Sequence, residues 1–258
     1  MYESGDQAKK GTNQELEFLA SMTSEERDLL LGRVQPFMKL MMQYRCAIRE
    51  METKLQVLND EFSLQHERNP FESIESRVKE PMSIIEKMRR RGWNLTVDNI
   101  EDKLNDVAGV RVICSFVEDI YYLADMLAAQ DDLNVIQVKD YIKHPKDNGY
   151  RSLHLIIGIP IFLSSEKKYV RVEVQFRTIA MDFWASLDHK LKYKKNVKNP
   201  ELIAAELKKC ADTISSVDLR MQEIRNMMEE GADPVAFTGN QATFEMKPYE
   251  IKTLKVTF

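Results

Sequence analysis

The chain has 258 residues, of which 43% are hydrophobic and 30% charged, and a net charge of −4. This is enough chain for one or two domains with a real core, and no apolar run approaches the roughly 18 residues that cross a bilayer. Composition thus excludes a membrane-embedded protein, a disordered chain and a general coat for nucleic acid.

Nine glycines and eight prolines are few for this length, so turn-rich architectures are disfavoured and long helices are expected. Cys46, Cys114 and Cys210 are odd in number and far apart, with neither a disulfide framework nor zinc-ligand spacing among them. A reducing, cytoplasmic setting is expected. The opening MYESGDQAKK lacks the apolar stretch an export signal needs. Lys and Arg nevertheless cluster at Lys87 to Arg91 and at Lys190 to Lys198, so local anion sites are expected.

In chain order, Thr23-Ser24-Glu25-Glu26 reads as a capping box that opens a helix. From Phe37 the apolar residues Met41, Tyr44, Ile48, Met51, Leu55, Leu58 and Phe62 recur at alternating steps of four and three. That stripe lies on the chain's own domain or on its C-terminal helix, or else forms a seam with a second subunit. After Asn69-Pro70, Ile74, Ser76 and Val78 alternate with Glu75, Arg77 and Lys79, as in a short strand. Pro81 suits the first turn of a helix, for which Met82, Ile85 and Met88 are the expected buried stripe and Gly92 the stop.

Val107 to Val117, Leu133 to Asp140, Arg151 to Phe162 and Lys168 to Arg177 are rich in Val, Ile and Phe and read as strands. A helix through Ile120, Leu123, Ala124 and Leu127 separates the first two. Thr178 caps another over 179–195, and Asn199-Pro200 opens a last one to about Glu230. The expected fold is α/β: a mixed, mostly antiparallel five-stranded sheet surrounded by helices, with long N- and C-terminal helices. The expected organisation is a helical region over 1–68, a core over 69–198, a helix over 199–230 and an unassigned tail over 231–258, with weak alternation at Ile251, Leu254 and Val256.

The chemistry concentrates at three places. On the last long strand Val170, Val172, Val174 and Phe176 face one way, while Arg171, Glu173, Gln175 and Arg177 face the other. Asp106 opens a neighbouring strand, so two carboxylates can share one cation, and two carboxylates with phosphate oxygens and water suit Mg²⁺. Ser83, Lys87 and Arg90 fall at i, i+4 and i+7, with Arg77 and Lys79 leading into the helix N-terminus, the pattern of a polyphosphate cradle. Gly149 allows a tight turn that presents Tyr150 as a stacking surface, with Lys146 and His154 nearby. The plainer alternatives are a solvated strand face, a basic surface helix and a structural histidine.

The order Arg77-Val-Lys79, Ser83, Lys87, Arg90-Arg91-Gly92, Asp106-Val-Ala-Gly-Val-Arg111, Gly149-Tyr150-Arg151-Ser152-Leu-His154, Val172-Glu173-Val-Gln175-Phe-Arg177-Thr178 and Phe183-Trp184-Ala resembles the synthetase domain of the RelA/SpoT family in its compact, small alarmone synthetase form. The resemblance implies a cytoplasmic enzyme of the stringent response that moves pyrophosphate from ATP to the ribose 3′-OH of GDP or GTP. It implies that Arg77 and Arg111 sandwich adenine, with Lys79, Ser83, Lys87 and Arg90 on the ATP phosphates. Asp106 and Glu173 would hold Mg²⁺, and Glu173 would also accept the proton of the attacking hydroxyl. Tyr150 would stack on guanine, Lys146 and His154 would take the acceptor phosphates, and Gln175 and Asp182 would complete the acceptor site.

Asp182 stands where relatives often carry Asn, and a carboxylate can accept from both N1–H and N2–H₂ of guanine. Its removal is expected to weaken the acceptor and spare ATP; the alternative is a helix-capping role. Asp188 replaces a Glu, and Gln137-Val-Lys139-Asp140 only partly matches the loop that biases relatives between GDP and GTP. Ser73 and Glu75 occupy the places of an aromatic and a Thr that help tetrameric relatives bind an effector, and Glu75 would repel phosphate. No His-Asp pair occurs among His66, His144, His154 and His189, so synthesis without hydrolysis is expected. A homotetramer is expected from relatives and from the helical apolar stripes. Single-stranded RNA is admitted as a further partner. The rival readings are a non-catalytic nucleotide or RNA binder and another nucleotidyltransferase.

Overall fold

The structure is a computed structural model that describes residues 23–65, 68–192, 199–230, 237–238 and 241–242. Helix α1 (Ser24–Gln65) leads into strand β1 (Phe71–Val78), helices α2 (Pro81–Arg90) and α3 (Val97–Lys103), and β2 (Ala108–Cys114). Helix α4 (Val117–Ala128), then β3 (Asn134–Asp140), β4 (Leu153–Phe162) and β5 (Lys167–Thr178) follow. Helices α5 (Ile179–Lys192) and α6 (Pro200–Glu230) come next, then a two-residue pair, β6 (Phe237–Thr238) and β7 (Gln241–Ala242). The five long strands form one sheet in the order β1-β2-β5-β4-β3, in which only β2 and β5 run parallel. The expected mixed, mostly antiparallel sheet is therefore present.

Tyr44, Met51, Leu55, Leu58 and Phe62 of α1 lie buried in one core with Val110, Val112, Leu155, Val172, Val174 and Phe176 of the sheet. The narrow stripe on α1 is thus covered by the chain's own strands, and it is not a seam for a second subunit. At about 25 cal/mol per Å² of apolar surface, burying each such Leu or Phe is worth about 1.5–3 kcal/mol, far more than its helix propensity. On α2 the buried pair is Ile84 and Met88, four residues apart, whereas Met82 is exposed and Ile85 half-buried. Of the expected stripe Met88 is buried and Met82 is not; Ile84 takes the place of Met82 and Ile85 against the core, on a helix whose Lys87 reaches Asp106.

Gly92 (φ +67°) ends α2 with Trp93 N–H donating to Met88 O at 3.0 Å, a Schellman closure. Helix α3 escapes periodicity because only Ile100 of its seven residues is buried. Its signal is local: Thr96 Oγ1 accepts from Asn99 N–H. Thr178 caps α5 as expected, its Oγ1 accepting from Met181 N–H at 3.1 Å. The weak alternation at Ile251, Leu254 and Val256, and most of the second basic cluster (193–198), lie outside the described residues. Among the described residues no helix is long and apolar enough to cross a membrane.

Candidate active site

Strand register assembles the site. At one level across the sheet Arg77 on β1 pairs with Gly109 on β2, and Gly109 with Glu173 on β5. Two residues along, and therefore on the same face, Glu75, Arg111, Gln175, His154 and Lys139 form a row from β1 to β3. This face lies opposite Val172, Val174 and Phe176. An open cleft lies on it, lined by Glu75, Ser76, Arg77, Asp106, Gly109, Val110, Arg111, Glu173 and Gln175. A methyl group on Gly109 would touch backbone only at 3.9 Å or more, so the missing side chain serves to leave the floor bare between Arg77 and Glu173.

Asp106 sits just before β2. Its Oδ2 accepts from Lys79 Nζ and Lys87 Nζ, both at 2.7 Å. Burial alone would push this carboxyl up, but the two ammonium groups outweigh it and hold it below the usual carboxylate range. Its Oδ1 is buried and has no hydrogen-bond partner among the described residues. An ionised carboxylate with one orphaned oxygen in a cleft is a fit for a hard cation. The second acid of the cleft is Glu173, whose Oε1 lies 3.2 Å from His154 Nδ1 and whose Oε2 accepts from Gln175 Nε2 at 2.7 Å. Burial raises the Glu173 carboxyl and Asp106 adds to that, yet His154 and Gln175 hold it low. Among the described residues there is no cluster of three or more metal-ligating side chains, so a cation here would draw its other ligands from substrate and water.

The Tyr150 loop borders the cleft. Gly149 (φ +86°) packs its bare Cα against Ala211 of α6, and Arg151 bonds the Gly149 and Ala211 carbonyls and the Asp212 carboxylate. Lys146 Nζ lies 4.7 Å and Arg177 Cζ 5.2 Å from the Tyr150 ring centroid. Burial moves the Lys146 ammonium below the usual lysine range, opposed by Glu173 and supported by Lys139 and Arg177.

Several expected residues stand elsewhere than the sequence implies. His154 is buried, with Nδ1 on Glu173 and Nε2 2.9 Å from the Tyr150 hydroxyl, so both ring nitrogens are engaged by protein and neither is open to an acceptor phosphate. Asp182 does not cap α5, which Thr178 does; its Oδ1 takes Arg177 Nη1 at 2.8 Å and lies 3.4 Å from Arg111 Nη1. Ser83 and Arg90 are exposed on α2 and do not line the cleft, while Lys79 and Lys87 reach its acid. Arg177 was not among the expected site residues, although its alternation with Glu173 and Gln175 put it on the same face. It is buried and donates to Tyr150, Gln175 and Asp182.

A mixed sheet whose polar face gathers two ionised carboxylates among arginines and lysines defines an enzyme that works on polyphosphate groups. Residues 76–198 match the model for a region found in RelA/SpoT proteins. The chain is 44% identical to the GTP pyrophosphokinase YwaC of Bacillus subtilis over 72% of its own length and 89% of that protein's. To YjbM, a second GTP pyrophosphokinase of B. subtilis, it is 37% identical over 74% and 90%. Its fold superposes on the crystal structure of B. subtilis small alarmone synthetase 1 bound to its product pppGpp (TM-score 0.69, 36% identity, 76% and 99% coverage). It matches B. subtilis small alarmone synthetase 2 as well (TM-score 0.67, 42% identity, 74% and 98%). The chain belongs to the RelA/SpoT family and, within it, to the small alarmone synthetases.

Proposed function

We infer that this protein is a (p)ppGpp synthetase, which transfers the β,γ-diphosphate of ATP to the ribose 3′-OH of GDP or GTP and releases AMP. The observation that carries the reading is the pairing of Asp106, clamped by Lys79 and Lys87, with Glu173 in one cleft that Arg77 and Arg111 also line. In this reading the 3′-oxygen attacks the β-phosphorus. The bond from that phosphorus to the oxygen bridging it to the α-phosphorus breaks, and AMP leaves with the electron pair. Glu173, held ionised, takes the hydroxyl proton. Arg77 and Arg111 hold adenine, Lys79 and Lys87 face the phosphates, and Tyr150 holds guanine. Mg²⁺, held by Asp106 Oδ1 and the Glu173 carboxylate, would supply charge neutralisation on the transferring group. The test is incubation with Mg²⁺, ATP and GMP, GDP or GTP. AMP with a 3′-diphosphorylated guanosine supports the reading; pyrophosphate release, or no turnover, overturns it.

The position of Asp182 changes what its removal should do. Its Oδ1 serves an arginine on each side, one from the donor cleft and one beside Tyr150. Asp182→Ala is expected to raise the KM for both ATP and the guanine acceptor, each on the order of tenfold. Initial-rate kinetics showing a rise for the acceptor alone would assign it to the guanine edge only.

With the α1 stripe buried, support for the expected homotetramer rests on α6, where Leu202, Leu219, Met221, Met227 and Met228 are exposed. Light scattering at micromolar concentration is expected to give a mass near four times 30.1 kDa; a monomer would rule the assembly out. The cytoplasm is the setting this function implies.

A further inference from the structure

We propose that Arg177 is a positioning residue that aims Glu173 and Tyr150 together, through a closed ring of hydrogen bonds. The proposal deepens the synthetase reading, on which only its kinetic arm rests.

The ring can be followed atom by atom. Arg177 Nη2 donates to the Tyr150 hydroxyl at 2.8 Å and to Gln175 Oε1 at 3.0 Å. The Tyr150 hydroxyl meets His154 Nε2 at 2.9 Å, and His154 Nδ1 meets Glu173 Oε1 at 3.2 Å. Gln175 Nε2 donates to Glu173 Oε2 at 2.7 Å, which closes the circuit. Two members have no freedom of direction: a guanidinium only donates, and an ionised carboxylate only accepts. Along both arms the ring then runs from the guanidinium to the carboxylate. The Tyr150 oxygen receives Arg177 on one lone pair, and in the ring its own hydrogen points to His154 Nε2. The imidazole then carries a proton on Nδ1 and gives it to Glu173. Gln175 must turn its carbonyl to Arg177 and its amide to Glu173. Both oxygens of the carboxylate are thereby fixed by donors that one buried arginine orients, and Nη1 of the same arginine holds Asp182. A planar fork makes these contacts at once, which a lysine ammonium on a flexible stem does not reproduce.

This direction predicts a spectroscopic signature. In ¹⁵N–¹H spectra of histidine-labelled protein, with four histidines to assign, His154 is expected as the neutral Nδ1–H tautomer with Nε2 accepting. Observation of a proton on Nε2 overturns the ring. Arg177→Met removes the donor, and its His154 Nε2 signal is expected to move; an unchanged His154 spectrum overturns the proposal. With folding verified by circular dichroism, kcat is expected to fall on the order of a hundredfold while the KM for ATP changes less than about threefold. Arg177→Lys should fail to restore it, and wild-type kcat in either variant would overturn the assignment. Should Arg177→Met not fold, Tyr150→Phe opens the same ring by loss of one hydroxyl. It is expected to move the His154 signals and lower kcat, and wild-type values there count equally against the ring. If the wild-type protein makes no 3′-diphosphorylated product, the synthetase reading falls, and the His154 spectrum alone decides the ring.

Discussion

Asp106→Asn and Glu173→Gln are each expected to abolish nearly all turnover. Neutralising the transferring group is worth several kcal/mol, so either loss corresponds to about a thousandfold or more in rate. The neighbours make the effect larger than the loss of one charge. Asp106→Asn would leave Lys79 and Lys87 half-buried around a neutral amide, and the new amide oxygen can meet both ammonium groups only if its NH₂ group takes the place of the unpartnered Oδ1, where a cation would bind. Glu173→Gln would turn an NH₂ toward either the His154 ring or the Gln175 amide, both of which donate in the present arrangement. A fall in melting temperature should therefore accompany the loss of rate in both variants. Product analysis at a temperature where circular dichroism shows folded protein separates the two effects. Turnover within tenfold of wild type in a folded variant would remove that carboxylate from the site.

The second large effect is expected at Gly149. A Cβ there would stand 2.5 Å from Ala211 Cβ, on a backbone at φ +86° that side chains avoid. Gly149→Ala should cost roughly 3 kcal/mol, from strain at positive φ and from overpacking together. The cost falls on the contact between the Tyr150 loop and α6, so the KM for the acceptor should rise along with the stability loss, while the KM for ATP holds. Denaturant unfolding measures the first and initial rates the second. The double variant Gly149→Ala, Ala211→Gly removes the overlap but keeps the strained φ, so it should recover part of the stability and not all. Measured against the Ala211→Gly single variant, which carries its own helix cost, no recovery would mean that the dihedral angle alone sets the cost.

How much of this was legible in sequence follows from the range over which each signal acts. Period-two alternation in Val170 to Arg177 and the four-three steps from Met41 to Phe62 are properties of a short stretch of chain, and they determined β5, α1 and the inward side of each. Turn chemistry acts locally too, so Gly92, Thr178 and Gly149 were readable as a stop, a cap and a tight turn. Order of motifs gave the family and, with it, the two carboxylates. What no local pattern holds is which element lies beside which. The sheet order β1-β2-β5-β4-β3 lays Gly109 between Arg77 and Glu173, and it gave the α1 stripe a partner within the chain. Which residues of α2 meet the core was decided by the elements packed against it: Ile84 joins Met88 inside, Met82 stays in solvent, and Lys87 reaches Asp106 across the fold. The same holds for His154 and Arg177. Each is one residue of a strand in sequence, and the neighbouring strands and the Tyr150 loop supply the hydrogen-bond partners that give each its place in the ring.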